Sequence, residues 1–268
     1  MDPNGIDVLS ARMAETLDYY NASGLSAAFY DVVAFFDPTL QGELAFYETL
    51  IPEGSWVLEL GCGTGRIGLP LAERNRAVVG LDNAPAMLAK AQAKRQTLAP
   101  EVVQRTPFVQ ADMTAFNLNH QFDAVIAPLF SVSHLPTGEP RRRIFQAIAA
   151  HLAPGGVAAL HTILPSALEA SAPPDPKKPV LDVEYEKEGG RLRIYVPAQA
   201  YEPATGRFQQ LLDYVVIAPD GSETRRSRER LVYYASDLEA DAAGSGLVLA
   251  DKISPYNMVG EMWVFRKA

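Results

Sequence analysis

Between Trp56 and Leu164, short apolar runs alternate with stretches of helical spacing, and few folds accept that alternation. The runs are "WVLEL" (56–60), "AVVGL" (77–81), "PFVQA" (107–111), "FDAVIAP" (122–128) and "VAALHTIL" (157–164). Between them lie helical patterns: one to about Glu73, one through "APAMLAKAQAKRQTLA" with Pro85 at a first-turn position, and "EPRRRIFQAIAAHLA" ending at "PGG". Strands alternating with helices imply crossover units and a parallel sheet covered on both faces. Pro70 sits awkwardly in the first of these helices, where it should remove a hydrogen bond or mark a bend.

The flanks read differently. Residues 6 to 20 and 25 to 50 read as helices with aromatic faces (Tyr19, Tyr20, Phe29, Tyr30, Phe35, Phe36, Phe46, Tyr47). After Pro165 and the proline-rich "SAPPDPKKP" come four alternating segments, at roughly 180–187, 191–202, 206–218 and 222–234. The turns "EGG", "PATG" and "PDG" between them suit an antiparallel meander. In "RLRIYV" Leu192, Ile194 and Val196 share one face, with Arg191, Arg193 and Tyr195 on the other. A helix at "SDLEADAAGSG", capped by Ser236 or Asp237, and two closing strands, "LVLADKI" and "EMWVFRK", complete the chain. The expected organisation is a helical cap over 1–50, a core over 51–165 and 235–268, and an antiparallel insert over 166–234.

Composition limits the partners. The 268 residues carry a net charge of −8, poorly matched to phosphate backbones, so no nucleic-acid partner is expected. The basic runs "PRRRIF" and "TRRSRER" read as solvated faces. No apolar run is long enough for a bilayer span, and no signal-peptide pattern opens the chain, so a cytoplasmic location without a membrane partner is expected. The one cysteine, Cys62, fits that reducing compartment and reads as a small filler residue. The oligomeric state is not legible.

The first apolar run ends in a glycine cluster, "WVLELGCGTGRIGLPLA" (56–72), where a ligand must approach the backbone closely. Two nucleotide cofactors compete for it. "GTGRIG" matches the G-x-G-x-x-G spacing of dinucleotide sites, and Asp82 follows at about the expected interval. Against that, the cluster begins earlier, at Gly61, and Glu59 closes the strand. A carboxylate there repels a pyrophosphate and attracts a ligand bearing an amine and a sulfonium.

With Glu59 in view, "VLELGCGTGR" resembles the first motif of the class I S-adenosylmethionine-dependent methyltransferases, E/D-x-G-x-G-x-G at a strand end. "GLDNAPAML" resembles the second motif, "VQADMTAF" the third, "FDAVIAPLFSVSHL" the fourth strand with its active-site loop, and "HLAPGGVAALHT" the turn that follows. The resemblance covers roughly residues 55 to 163. It implies an α/β fold, a doubly wound seven-stranded and mostly parallel sheet with a C-terminal antiparallel pair, with the β insert covering the active site. It implies S-adenosyl-L-methionine as cofactor and a small-molecule substrate. Glu59, Gly61 and Gly63 would line the methionine end, with Cys62, Arg66 and Ala127 beside them; Asp82 would take the ribose hydroxyls; Asn83 and Met87 would pack on the adenosine; Asp112 and Met113 would meet the adenine. Asp112 could instead cap a helix starting at Met113. Tyr30 and Tyr20 would close over the cofactor, or pack in the core.

The acceptor is narrowed by exclusion. "APLF" lacks the [DN]-P-P-[YF] pattern of base-amino methylases, and no acid–histidine cluster at metal-ligand spacing points to a metal. The insert resembles the cover of small-molecule N-methyltransferases, so an amine nitrogen is expected, with O- or C-methylation, or a cofactor-binding protein of other chemistry, as alternatives. The candidate base is His134 in "FSVSHL", with His161 and Tyr20 next.

Overall fold

The computed structural model of the protein describes residues 16–185 and 190–267. Most of the first expected helix, residues 6 to 15, lies outside the described residues. Its end is a short strand, β1 (Leu17–Asp18), paired in parallel with Glu229 and Arg230. The single helix expected over 25–50 is two helices, α1 (Leu25–Phe36) and α2 (Glu43–Leu50), separated by a 3-10 turn at Pro38–Leu40. Two local signals break it. Asp37 folds its carboxylate onto the Thr39 amide beside Pro38, and Gly42 takes a φ of +80°.

The alternating region then unfolds as β2 (Trp56–Leu60), α3 (Gly68–Glu73), β3 (Ala77–Asp82), α4 (Pro85–Arg95), α5 (Pro100–Gln104), β4 (Phe108–Gln110), β5 (Phe122–Ala127), α6 (Glu139–His151) and β6 (Leu152–Ile163). The short α5 was not anticipated. Pro70 causes no bend: α3 starts only at Gly68, so Pro70 sits in the first turn, where no intrahelical partner is lost. After α7 (Pro165–Glu169) come β7 (Leu181–Tyr185), β8 (Gly190–Glu202), β9 (Arg207–Ile217) and β10 (Glu223–Tyr234), then α8 (Leu238–Ala242), capped by Asp237, and the hairpin β11 (Leu247–Tyr256) and β12 (Gly260–Lys267).

Seven strands form one sheet in the order β11-β12-β6-β5-β2-β3-β4. β2 to β6 are parallel, and β12 and β11 add an antiparallel pair at one edge. Both faces of β2 are covered, which explains its unbroken apolar run. Val57 packs with Tyr47 of α2 and Leu71 of α3, while Leu58 and Leu60 pack with Ile144, Phe145 and Ile148 of α6. From β2 the chain winds outwards to β3 and β4, then returns to β5 on β2's other side. The carboxyl ends of β2 and β5 therefore flank a crevice at the reversal point, where ligands of such sheets bind.

The insert forms a second sheet, β1-β10-β9-β8-β7, antiparallel apart from the β1 pairing. Leu192, Ile194 and Val196 point inwards together, as their alternation predicts, onto Leu25 and Phe29 of α1. No helix among the described residues is long and apolar enough to cross a membrane.

Candidate active site

The crevice is a cavity of about 250 Å³ at the carboxyl ends of the parallel strands. Its floor is the glycine loop. Gly61 and Gly63 have φ of +68° and +54°, conformations a side chain would strain, and a Cβ on Gly61 would also strike Ser131. The amides of Gly61 and Cys62 donate to the Leu81 carbonyl at 2.7 and 3.0 Å, tying the loop to the end of β3.

Asp82 closes β3 and does two structural jobs at once. Its Oδ2 accepts from the Gly63 amide at 2.7 Å and its Oδ1 from the Ala84 amide at 2.8 Å, ahead of α4. Burial raises its pKa against the pull of those amides. A carboxylate oxygen can accept more than one hydrogen bond, and Asp82 lines the cavity.

Glu59 is 2 % exposed, and its Oε2 lies against Gly68, whose amide offers its charge only partial support. Burial pushes its pKa up to about 8, against the attraction of Arg66. Arg66 does not neutralise it, because Arg66 is committed to Glu43: its Nη2 donates to Glu43 Oε2 at 2.5 Å. Glu43, fully buried on α2, also accepts from His161 Nδ1 at 3.0 Å and from the Leu129 amide at 3.0 Å. Burial alone would raise the Glu43 pKa, but the His161 hydrogen bond and the Arg66 charge override it and hold the carboxyl at about 2. The Leu129 contact has a further use. Leu129 and Phe130 are consecutive non-glycine residues at positive φ, +43° and +57°, a strained turn that needs outside support.

The roof comes from α1 and the residues before it. Lys94 Nζ and Thr64 Oγ1 both donate to Asp31 Oδ1, at 2.7 Å each, which fastens α1 over the glycine loop. Tyr30 of α1 hydrogen-bonds to Arg66, and burial lifts its hydroxyl to about 12 despite that charge. Tyr20, at φ +64°, donates its amide to Ser26 Oγ and stacks edge-on to both Tyr30 and His134.

Tyr30, Glu59, Gly61, Cys62, Gly63, Arg66, Asp82, Asn83, Met87, Asp112 and Met113 all line this cavity, as do Tyr20 and His134. Ala127 does not: it is buried at the end of β5, and its successors Pro128 and Leu129 form the wall. Asp112 caps no helix. It accepts from the Thr114 amide and hydroxyl, shaping a turn. His161 is also absent from the cavity lining; it lies fully buried behind Glu43. Sequence reasoning missed Glu43, one acid on an amphipathic helix with no motif around it, and Ser131 and Leu129, whose roles depend on a strained turn.

The fold and this crevice define a class: the doubly wound α/β domain of the class I methyltransferases. More particularly, residues 57–156 match the family model described as "Methyltransferase domain". The chain is 34 % identical over 111 residues to a putative methyltransferase of Bacillus subtilis, a match covering 41 % of this chain and 43 % of that protein. It is 33 % identical over 116 residues to the dTDP-4-amino-2,3,4,6-tetradeoxy-D-glucose N,N-dimethyltransferase of Saccharopolyspora spinosa, covering 42 % of each. The matches thus span under half the length of these relatives. A solved methyltransferase, CcbJ from Streptomyces caelestis, shares the fold with a TM-score of 0.71 at 22 % identity, over 94 % of this chain and 98 % of that one.

Proposed function

We propose that the protein transfers a methyl group from S-adenosylmethionine to an amine nitrogen of a small molecule. The observation that carries this reading is Glu59, a buried carboxylate in the wall of the ligand cavity whose charge Arg66, bonded to Glu43, only partly balances. Such a group fits a ligand with a positively charged end and rejects a pyrophosphate. Glu59 with Gly61 and Gly63 would hold the amino-acid end, Asp82 the ribose hydroxyls, Asn83 and Met87 the adenosine, and Asp112 and Met113 the adenine. Once bound, S-adenosylmethionine supplies a methyl group activated by its positive sulfur.

The chain's own residues have the task of positioning the acceptor and excluding water. A smaller cavity of about 90 Å³ adjoins the first, and Tyr19, Tyr20, Tyr30 and Leu129 line both. Phe130, Tyr214, Tyr233 and Asp37 also line it, beside Ser26 and the apolar Val33, Ala34 and Leu40. Aromatic faces with one carboxylate suit an ammonium or its neutral amine, and the Saccharopolyspora relative is named as acting on an amino sugar.

His134 supplies the base. Its Nδ1 donates to the Val232 carbonyl at 3.0 Å, which leaves Nε2 as the proton acceptor. Burial pushes its pKa down to about 4, against that hydrogen bond, so the ring is neutral throughout the ordinary pH range. His134→Gln is expected to lower turnover at least tenfold and to remove an acidic limb near pH 4 from the pH–rate profile. A variant with the wild-type rate and limb excludes His134 from proton transfer.

The cofactor assignment is tested at Asp82. Asp82→Ala should weaken S-adenosylmethionine binding by about 1.5–3 kcal/mol, the range for hydrogen bonds to a charged group. Part of that loss passes through the Gly63 amide, which Asp82 orients. Calorimetry showing unchanged affinity in a folded variant would refute the assignment.

A further inference from the structure

Beyond the cavity already described, one face of β10, between Asp18 of β1 and Arg207 of β9, carries an open groove of about 390 Å³. Its walls include Tyr19 and His134, which also line the methyl-transfer cavity, and Arg207, Arg230 and Tyr234. Strand register explains the grouping. Arg230, Val232 and Tyr234 alternate onto one face of β10, and Arg207 pairs directly with Tyr234 across the ladder. Two guanidinium groups therefore stand on the same face at the outer mouth of the site.

Their pairing is incomplete. Among the described residues Arg207 has no acidic partner; its guanidinium donates to the neutral Gln209 side chain. Arg230 pairs with Asp18, whose side chain is 74 % exposed, the kind of surface pair that holds weakly. Elsewhere on the insert most arginines are matched, and Arg225 lies over the Phe29 ring. Arg228 takes Asp213 bidentately, with both contacts at 2.6 Å, and Arg191 and Arg193 share Asp182. In a chain of net charge −8, a cationic mouth beside the reacting centre is a local reversal of sign, and it would draw in an acidic acceptor that the rest of the surface repels.

We propose that Arg207 and Arg230 bind an oxyanion carried by the acceptor, at the end remote from its amine. The planar fork of each guanidinium matches a phosphate or a carboxylate. Binding of the anion displaces Asp18 from Arg230 and fixes the acceptor with its amine directed past His134. This assignment rests on reading the neighbouring cavity as the methyl-transfer site.

The test is calorimetric titration of the full chain with inorganic pyrophosphate and, separately, with malonate. Saturable binding of one or both is expected, weakened at least tenfold in the Arg207→Gln/Arg230→Gln double variant and tightened in Asp18→Asn. Preference for pyrophosphate identifies a phosphorylated acceptor, and preference for malonate a carboxylated one. If the wild type binds neither probe, or the double variant binds as the wild type does, the proposal is overturned. Should the double variant misfold, Asp18→Asn decides alone, and unchanged affinity there overturns the proposal. S-adenosylmethionine titrated into the same wild-type sample separates the two readings. Its failure to bind would remove the methyl-transfer site while leaving the anion groove to stand or fall on pyrophosphate and malonate.

Discussion

Glu43→Gln is expected to lower the stability of the fold by about 3 kcal/mol at pH 7, a figure that follows from a carboxyl held at about 2 against an ordinary value of 4.5. Because the folded-state value is the lower one, the stabilisation is complete above pH 4.5 and is lost as the pH falls through about 2. Urea denaturation of wild type and variant should therefore give curves that lie well apart at pH 7 and converge towards pH 2. The effect is large because Glu43 is the shared acceptor for Arg66, His161 and the Leu129 amide inside the protein. Glu43→Ala should be worse, since it leaves the Arg66 charge and the strained 129–130 turn without their partner. A gap between wild type and Glu43→Gln that stays constant from pH 7 to 2 would show that the carboxylate charge is not what stabilises this network.

The second large effect belongs to Glu59 and runs in the opposite direction with pH. Its folded-state value of about 8 lies above the ordinary 4.5, so in the unliganded protein its ionisation costs stability as the pH rises from 4.5 through about 8. A cationic ligand needs the ionised form. Affinity for S-adenosylmethionine should thus rise about tenfold between pH 6 and 7, a range over which the ligand's α-amine stays protonated. Glu59→Gln should abolish that slope and weaken binding at pH 7.5, while adenosine, which lacks the charged tail, binds variant and wild type alike. Equal losses for both ligands, or a slope that survives in the variant, would assign Glu59 a structural role at the end of β2.

Much of this site was legible in the sequence because it lies on short-range patterns. The glycines follow a strand directly, Asp82 closes the next and Asp112 lies two residues past the one after, so the topology alone carries them to one end of the strands. The insert was readable for the same reason: alternation and turn residues set the strands of 190–202, 207–217 and 223–234 within a residue or two. What stayed hidden depends on partners distant in the chain. Leu17 and Asp18 form a strand only because β10 offers an edge, and Glu43 gains its meaning from Arg66, Leu129 and His161, up to 118 residues away. His161 was expected at the ligand from its place late on a parallel strand. The buried acid of α2 reaches it first and holds it behind the wall.

The central claim, methyl transfer to nitrogen, is tested most directly by incubating the full chain with methyl-labelled S-adenosylmethionine and a panel of small amines, dTDP-amino sugars among them, beside their hydroxyl counterparts. The account predicts S-adenosylhomocysteine released in step with label appearing on nitrogen, and no turnover with the hydroxyl analogues. Label on oxygen or carbon alone, or cofactor that binds yet is never turned over by any amine, would contradict it.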